Sequence, residues 1–205
     1  MPKSRMISNS NGAMTPDLVV AIGTEGSSTM TNLDPTITSK PDWLHEFDYT
    51  VEKKLNPNVS NNSAYGSGQL IGYDARIVIY PTPASVYVEN SLNQGQPIPA
   101  ITIYRLEDML GVLTAVEIWA FENVIFTSYK NLAETSQQGT GLANALEVTF
   151  QWQQLTHTLN SYNPQTLVAQ GSVVSLINFS TGVLTPPAAG GGGAAPAATA
   201  PAAGG

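Results

Sequence analysis

The chain has no cysteine and only two histidines among its 205 residues. Without thiols there is no disulfide scaffold and no thiolate metal site. Charge is scarce, at 11% of residues, and bases are the scarcer kind: eight against fifteen acids, a formal net charge of −7. A nucleic-acid groove needs clustered Lys and Arg to replace counterions, so this balance argues against one. It suits a surface that stays soluble, or a wall to which DNA does not adhere. No apolar run approaches the ~18 residues of a membrane helix, and the opening MPKSRMISNS lacks the apolar core of a signal peptide. The expectation is a soluble, cytosolically made chain with no membrane partner and no signal-dependent export.

Catalytic motifs are missing as well. No glycine-rich loop runs into Lys-Ser/Thr, and no Gly-x-Ser-x-Gly elbow occurs; Ser67 in Gly66-Ser67-Gly68 lacks the strand–helix context. His45 stands near Asp42, Glu46 and Asp48, but the spacing fits no ligand pattern and reads as a surface cluster before a strand. His157, among threonines, reads as a polar-face or interface residue. The adjacent carboxylates Glu107 and Asp108 point apart on a turn. The sequence therefore predicts no catalytic, cofactor-binding or metal-binding residues, no cofactor, and a protein that is not an enzyme.

What is present is β-strand patterning. Phe47, Tyr49 and Val51 alternate with Asp48, Thr50 and Glu52, a half-buried strand. Ala75 to Tyr80 predicts a second strand, ended by Pro81 and Pro83. Ala84 to Leu92 is ambiguous: Thr82 before Pro83 resembles an N-cap with proline at the first helical position, whereas Val86, Tyr87 and Val88 prefer strand. A short helix is the preferred reading. Ala100 to Tyr104 predicts a strand, Leu106 to Gly111 a turn or single helical turn, and Val112 to Phe121 a long strand that Val124 to Phe126 extends. Asn56 to Gly68 and Asn131 to Gly141 read as polar loops. From Leu146 to Leu159 the pattern is clearest: Leu146, Val148, Phe150 and Trp152 share one face. After Gln153 the parity moves to Leu155 and Leu159, as at a β-bulge. Val173 to Phe179 is the last expected strand.

The predicted organisation is an extended N-terminal arm over 1–41, a β-barrel domain over 42–182 and a C-terminal tail over 183–205. The tail contains only Ala, Gly, Pro and one Thr from Pro186 onward. Inside the arm, Leu18 to Ile22 is a short apolar strand; the arm reads either as a loosely ordered tail or as one that adds this strand to a neighbour. Arm and tail are expected to serve assembly rather than folding. The fold class is mainly β: an antiparallel barrel or sandwich with one short helix. Trp43, Trp119 and Trp152 read as core packing or, alternatively, as anchors between protomers, where Trp is over-represented. Leu18, Val20, Trp119 and Trp152 are the interface candidates.

The segment Val116-Glu117-Ile118-Trp119-Ala120-Phe121-Glu122-Asn123-Val124, a polar loop, and then Leu146-Glu147-Val148-Thr149-Phe150-Gln151-Trp152 resembles the C-terminal half of phage tail-tube-like proteins. Phe47 to Lys54 is similar to early strands of small β-rich proteins of contractile-tailed phages. The likeness spans about residues 43 to 159 and rests on pattern rather than a catalytic signature. It implies a virion structural subunit, made in the host cytoplasm, that forms stacked hexameric rings. Its implied partners are copies of itself and sheath or baseplate proteins, with DNA as passing cargo. The long arm and the Ala/Pro/Gly tail also fit a tube-completion, baseplate or capsid decoration protein. A ligand-binding β-barrel is the reading outside that class.

Overall fold

The computed structural model describes residues 4–8, 14–23, 30, 33–35, 37–54, 69–134, 143–163, 165–166, 168–179 and 184–188. Early strands are β1 (Met6–Ser8), β2 (Met14–Pro16), β3 (Leu18–Ile22), β4 (Asp42–Asp48), β5 (Val51–Lys54), β6 (Gln69–Gly72) and β7 (Ala75–Ile79). One helix follows, α1 (Pro83–Gln94). Then come β8 (Ile98–Met109), β9 (Val112–Glu134), β10 (Ala143–Gln151), β11 (Gln154–Tyr162), β12 (Ala169–Asn178) and β13 (Leu184–Ala188). All pairings between these strands are antiparallel.

The neighbour order β9–β10–β7–β4–β3–β8 returns to β9, so six strands close a barrel. Closure removes the free edges that would otherwise template pairing. The barrel is filled by Leu18, Val20, Ile22, Leu44, Phe47, Ile77, Ile79, Ile101, Ile103, Phe121, Val148 and Phe150, all nearly inaccessible. Phe150 and Trp152 share this interior with Leu146 and Val148, as their alternation predicted.

The N-terminal stretch departs from the expectation of an arm. β3 lies between β4 and β8 as a wall strand of the barrel, with all five residues buried. Leu18, Val20 and Ile22 face the interior, and Val19 joins an outer cluster with Ile37, Leu106, Leu113 and Ala115. An uninterrupted apolar run marks a strand covered on both sides. Here the second cover comes from the neighbouring N-terminal segments, which place Ile7, Met30 and Leu33 against that cluster. The first strand is tied down where the Asp17 backbone N–H donates to the Arg5 carbonyl and the Asp17 carboxylate receives the Arg5 backbone N–H.

Four other expectations change. The helix exists and runs from Pro83 to Gln94, but Thr82 does not cap it with its side chain. Its hydroxyl donates to Asp42 at 3.0 Å instead. Leu106 to Gly111 is not a turn: β8 continues to Met109, and only Leu110 and Gly111, both with positive φ, form the reversal. A type I′ hairpin loop needs positive φ at both positions, a conformation that Gly111 supplies readily and Leu110 does not announce. The strand expected through Phe47 and Val51 breaks at Tyr49–Thr50, where β4 ends and a separate β5–β6 hairpin begins. Finally, β13 pairs with β12 across the expected boundary at 182, so the sheet enters the tail as far as Ala188. Residues 189–205, 55–68 and 135–142 lie outside the described residues, and with them most of both predicted loops.

Candidate assembly surface

β9 is 23 residues long and serves two neighbours in turn. Residues 117–122 pair with β11 and 125–134 with β10, while β8 pairs along the other side of residues 112–124. Beyond the point where β10 leaves β9, the sheet continues through β11, β12 and β13 as a blade projecting from the barrel. The change occurs at Asn123, which has φ of 52°, and opposite it at Gln153. The Asn123 amide donates to Gln153 Oε1 at 2.7 Å, and the Gln153 backbone N–H donates to the Glu122 carbonyl at 3.0 Å.

Both strands change faces together here. Trp119 and Phe121 are buried before the junction and Val124 and Phe126 after it; Phe150 and Trp152 are buried before it on the partner and Leu155 after it. The register is unaltered, with Gln151 opposite Ile125 and Gln154 opposite Glu122. The parity shift read at Gln153 is thus real, but it belongs to a paired switch of two strands rather than to a bulge in one. The irregularity in this ladder lies elsewhere, between Thr149 and Phe150.

The blade root is well packed. The His157 ring stacks on Trp119 with centroids 5.2 Å apart, and its Nε2 lies 2.9 Å from Glu117 Oε1. Arg105 donates to the other Glu117 oxygen at 2.6 Å and lies 5.4 Å from the Trp119 ring centre. On the opposite face Asn178 donates to Gln154 and Gln154 donates to Glu122, a side-chain ladder across three strands. Toward the tip the cover is lost. Leu159 and Val173 face each other across the ladder at 51% and 44% exposure, with Val168 and Val174 also exposed. The other face carries the uncharged rows Ala120–Thr156–Leu176 and Ile118–Thr158–Val174. Among the described residues β13 has a partner on one side only.

None of the four interface candidates lies on this surface. Leu18, Val20, Trp119 and Trp152 are brought together, but in the interior cluster of one chain. The physical reason is burial: each is at most 8% exposed, so none can anchor a neighbour. The residues that do line the blade, Leu159, Val173 and Val174, were read only as ordinary strand positions. Their signal was apolar residues on a strand whose other face is polar or apolar in equal measure.

The remaining candidates for chemistry disperse. Along β4, Asp42 accepts from Thr82, and Glu46 pairs with Arg76, whose other partner is Glu147 at 2.7 Å. Burial works against the Arg76 charge, but the two carboxylates outweigh it and hold its pKa above the ordinary value. Among the described residues no group of three or more His, Asp or Glu is placed to hold a metal, and no helix is long and apolar enough to cross a membrane.

No protein-family model matches the chain, and no curated protein does. Solved structures do. A type six secretion system protein superposes with a TM-score of 0.65 at 16% identity, covering 82% of this chain and 99% of that one. Hcp1 from Salmonella typhimurium gives 0.57 at 12% identity, over 82% and 98% of the two chains. A type VI secretion system effector from Yersinia pestis gives 0.53 at 15%, over 79% and 99%. The chain is a mainly β protein with the Hcp-type fold: an antiparallel barrel with one short helix.

Proposed function

We propose that this protein is the repeating subunit of a ring-built tube, formed by copies that associate through the blade. The observation that carries the reading is the blade itself. It extends a closed barrel by three strands, leaves β13 unpaired on one side, and exposes the Leu159–Val173 pair. A lone soluble protein hides such a sheet, and a second copy supplies both the missing strand partner and the apolar cover. The likeness to type VI secretion proteins supports the tube; the tail-tube resemblance of Val116 to Trp152 supports it from the sequence. Within that class we place the chain in a phage tail tube, as a virion component with no catalytic step, contacting sheath or baseplate proteins and passing DNA through the lumen. The scarcity of Lys and Arg favours passage over adhesion.

Sedimentation and electron microscopy of the purified full chain test the tube, and mass spectrometry of purified phage particles tests the virion. Val173→Glu is expected to abolish rings while leaving the subunit's melting temperature within a few degrees of the parent, because Val173 is 44% exposed. Rings that form normally in this variant reject the blade as the contact. A chain that stays monomeric even with phage tail components present rejects the tube.

A further inference from the structure

The β5–β6 hairpin belongs to neither barrel nor blade. Its four residue pairs are all internal, from Val51 opposite Gly72 to Lys54 opposite Gln69. It is stiffened from within: the Tyr73 hydroxyl donates to Glu52 at 2.9 Å, and the Tyr73 backbone N–H donates to the Thr50 carbonyl at 3.1 Å. At its base Asp74 accepts the Thr127 hydroxyl at 2.9 Å, which fixes the point where the hairpin joins the barrel.

Val51 packs against the interior cluster, and at the other strand Phe179 clamps the hairpin down. Phe179, the residue after β12, covers Gly72 so closely that a Cβ there would clash with its ring. The Phe179 ring in turn meets Trp152 with centroids 4.7 Å apart, and its backbone N–H donates to the Gln153 carbonyl at 3.0 Å. Phe179 thus touches the hairpin, the β10–β11 junction and the end of the blade. Beside it lies an open cleft of about 370 Å³, lined by Leu70, Ile71, Tyr73, Gln151 and Trp152. The Trp152 indole N–H is buried there and has no partner among the described residues. The Phe179 contact is a discrete, shape-matched apolar seat, as a two-position element requires.

We propose that Phe179 seated on Gly72 is a latch that holds the β5–β6 hairpin against the root of the blade and releases it as a unit. The device belongs to the single chain and goes beyond the tube reading, so it is tested on unassembled protein. Amide hydrogen exchange on the full chain is the readout. Phe179→Ala is expected to accelerate exchange over residues 51–54 and 69–73 by about tenfold or more, with β3, β7 and β8 as protected as in the parent. Phe179→Leu keeps an apolar contact and retains most of the protection. Gly72→Ala leaves Phe179 in the chain but puts a methyl where its ring sits, and gives the same local acceleration. Combining Gly72→Ala with Phe179→Ala adds nothing further, because the ring that the methyl displaces is already gone. Additive effects in the double variant overturn the latch. So do exchange that rises evenly across the barrel, hairpin protection that does not change, or failure of Phe179→Ala to fold.

Discussion

Removing residues 1–23 is expected to abolish folding of the subunit, and the reason lies in β3. Leu18, Val19, Val20 and Ile22 are each no more than 1% exposed. Fully burying such side chains contributes about 1.5–3 kcal/mol apiece, so the four together contribute about 6–12 kcal/mol. That is as large as the whole stability of an ordinary domain, about 5–15 kcal/mol. The deletion also strips both neighbours: β4 and β8 lose their ladders to β3, and the barrel opens along its length. The assay is far-ultraviolet circular dichroism with thermal and urea melts, run beside a chain ending at Ala188. The Ala188 chain keeps every described strand and is expected to melt like the parent. The chain lacking 1–23 is expected to show no cooperative transition. If it melts cooperatively within about 5 °C of the parent, the burial of β3 contributes little and the reasoning fails.

Phe150 is fully buried and meets Phe121 edge-on at 5.3 Å, so Phe150→Ala should cost about 3–5 kcal/mol in denaturant melts; a loss below about 1 kcal/mol places that face outside the core. Burial raises the Tyr49 phenol above its ordinary 10.0, with a hydrogen bond involving Trp119 working against this and the Glu117 charge adding to it. The folded state therefore holds this proton more tightly than the unfolded chain does. Its contribution is full below pH 10 and falls as pH rises through the folded value above that. Tyr49→Phe should accordingly lose less stability than the parent as pH rises above 10; equal alkaline slopes reject the assignment. At Asn123, where φ is 52°, Asn123→Val should cost about 1–2 kcal/mol, and more than Asn123→Gly, because the left-handed backbone crowds a branched side chain. The reverse order of the two variants in urea melts refutes the strain.

The parts of this fold that were readable in the sequence are those set by local periodicity. The Leu146-Val148-Phe150-Trp152 face, the strand from Ala75, the helix after Pro83 and the long strand from Val112 all stand where alternation and proline placed them. The misread parts are those where a distant segment decides. Leu18 to Ile22 has the same composition whether it docks on a neighbour or completes its own barrel, and only the positions of β4 and β8 distinguish the two. Leu106 to Met109 looked like a turn because Glu107 and Asp108 are polar, yet they continue a strand into the hairpin that Asp108 closes by accepting the Gly111 backbone N–H at 2.7 Å. The tryptophans were readable as core and misleading as contact points, since a Trp on a strand carries no label for which side will be covered. The blade's exposed pair was hidden for a further reason: Leu159 and Val173 become conspicuous only when β11 and β12 lie side by side without a facing wall.

If the proposed tube is right, the paired switch at Asn123 and Gln153 ties folding to assembly. A bulge in one strand alone would slip the β9 ladder by a residue and turn every later side chain to the other face. Two strands turning together keep register and pass a single sheet from barrel to blade. The interior stack of Phe47, Trp119 and His157 runs across that line: Phe47 meets Trp119 edge-on at 4.7 Å inside the barrel, and Trp119 lies flat on His157 at the blade root. The angle at which the blade leaves the barrel is therefore fixed by core packing rather than by a flexible linker. A subunit that must repeat identically around a ring needs this, because an error in blade angle accumulates with every copy. Substitutions at the tip, such as Val173→Glu, should then act on association alone. Substitutions at the root, at Trp119 or His157, should disturb stability and association together, since the same contacts set both.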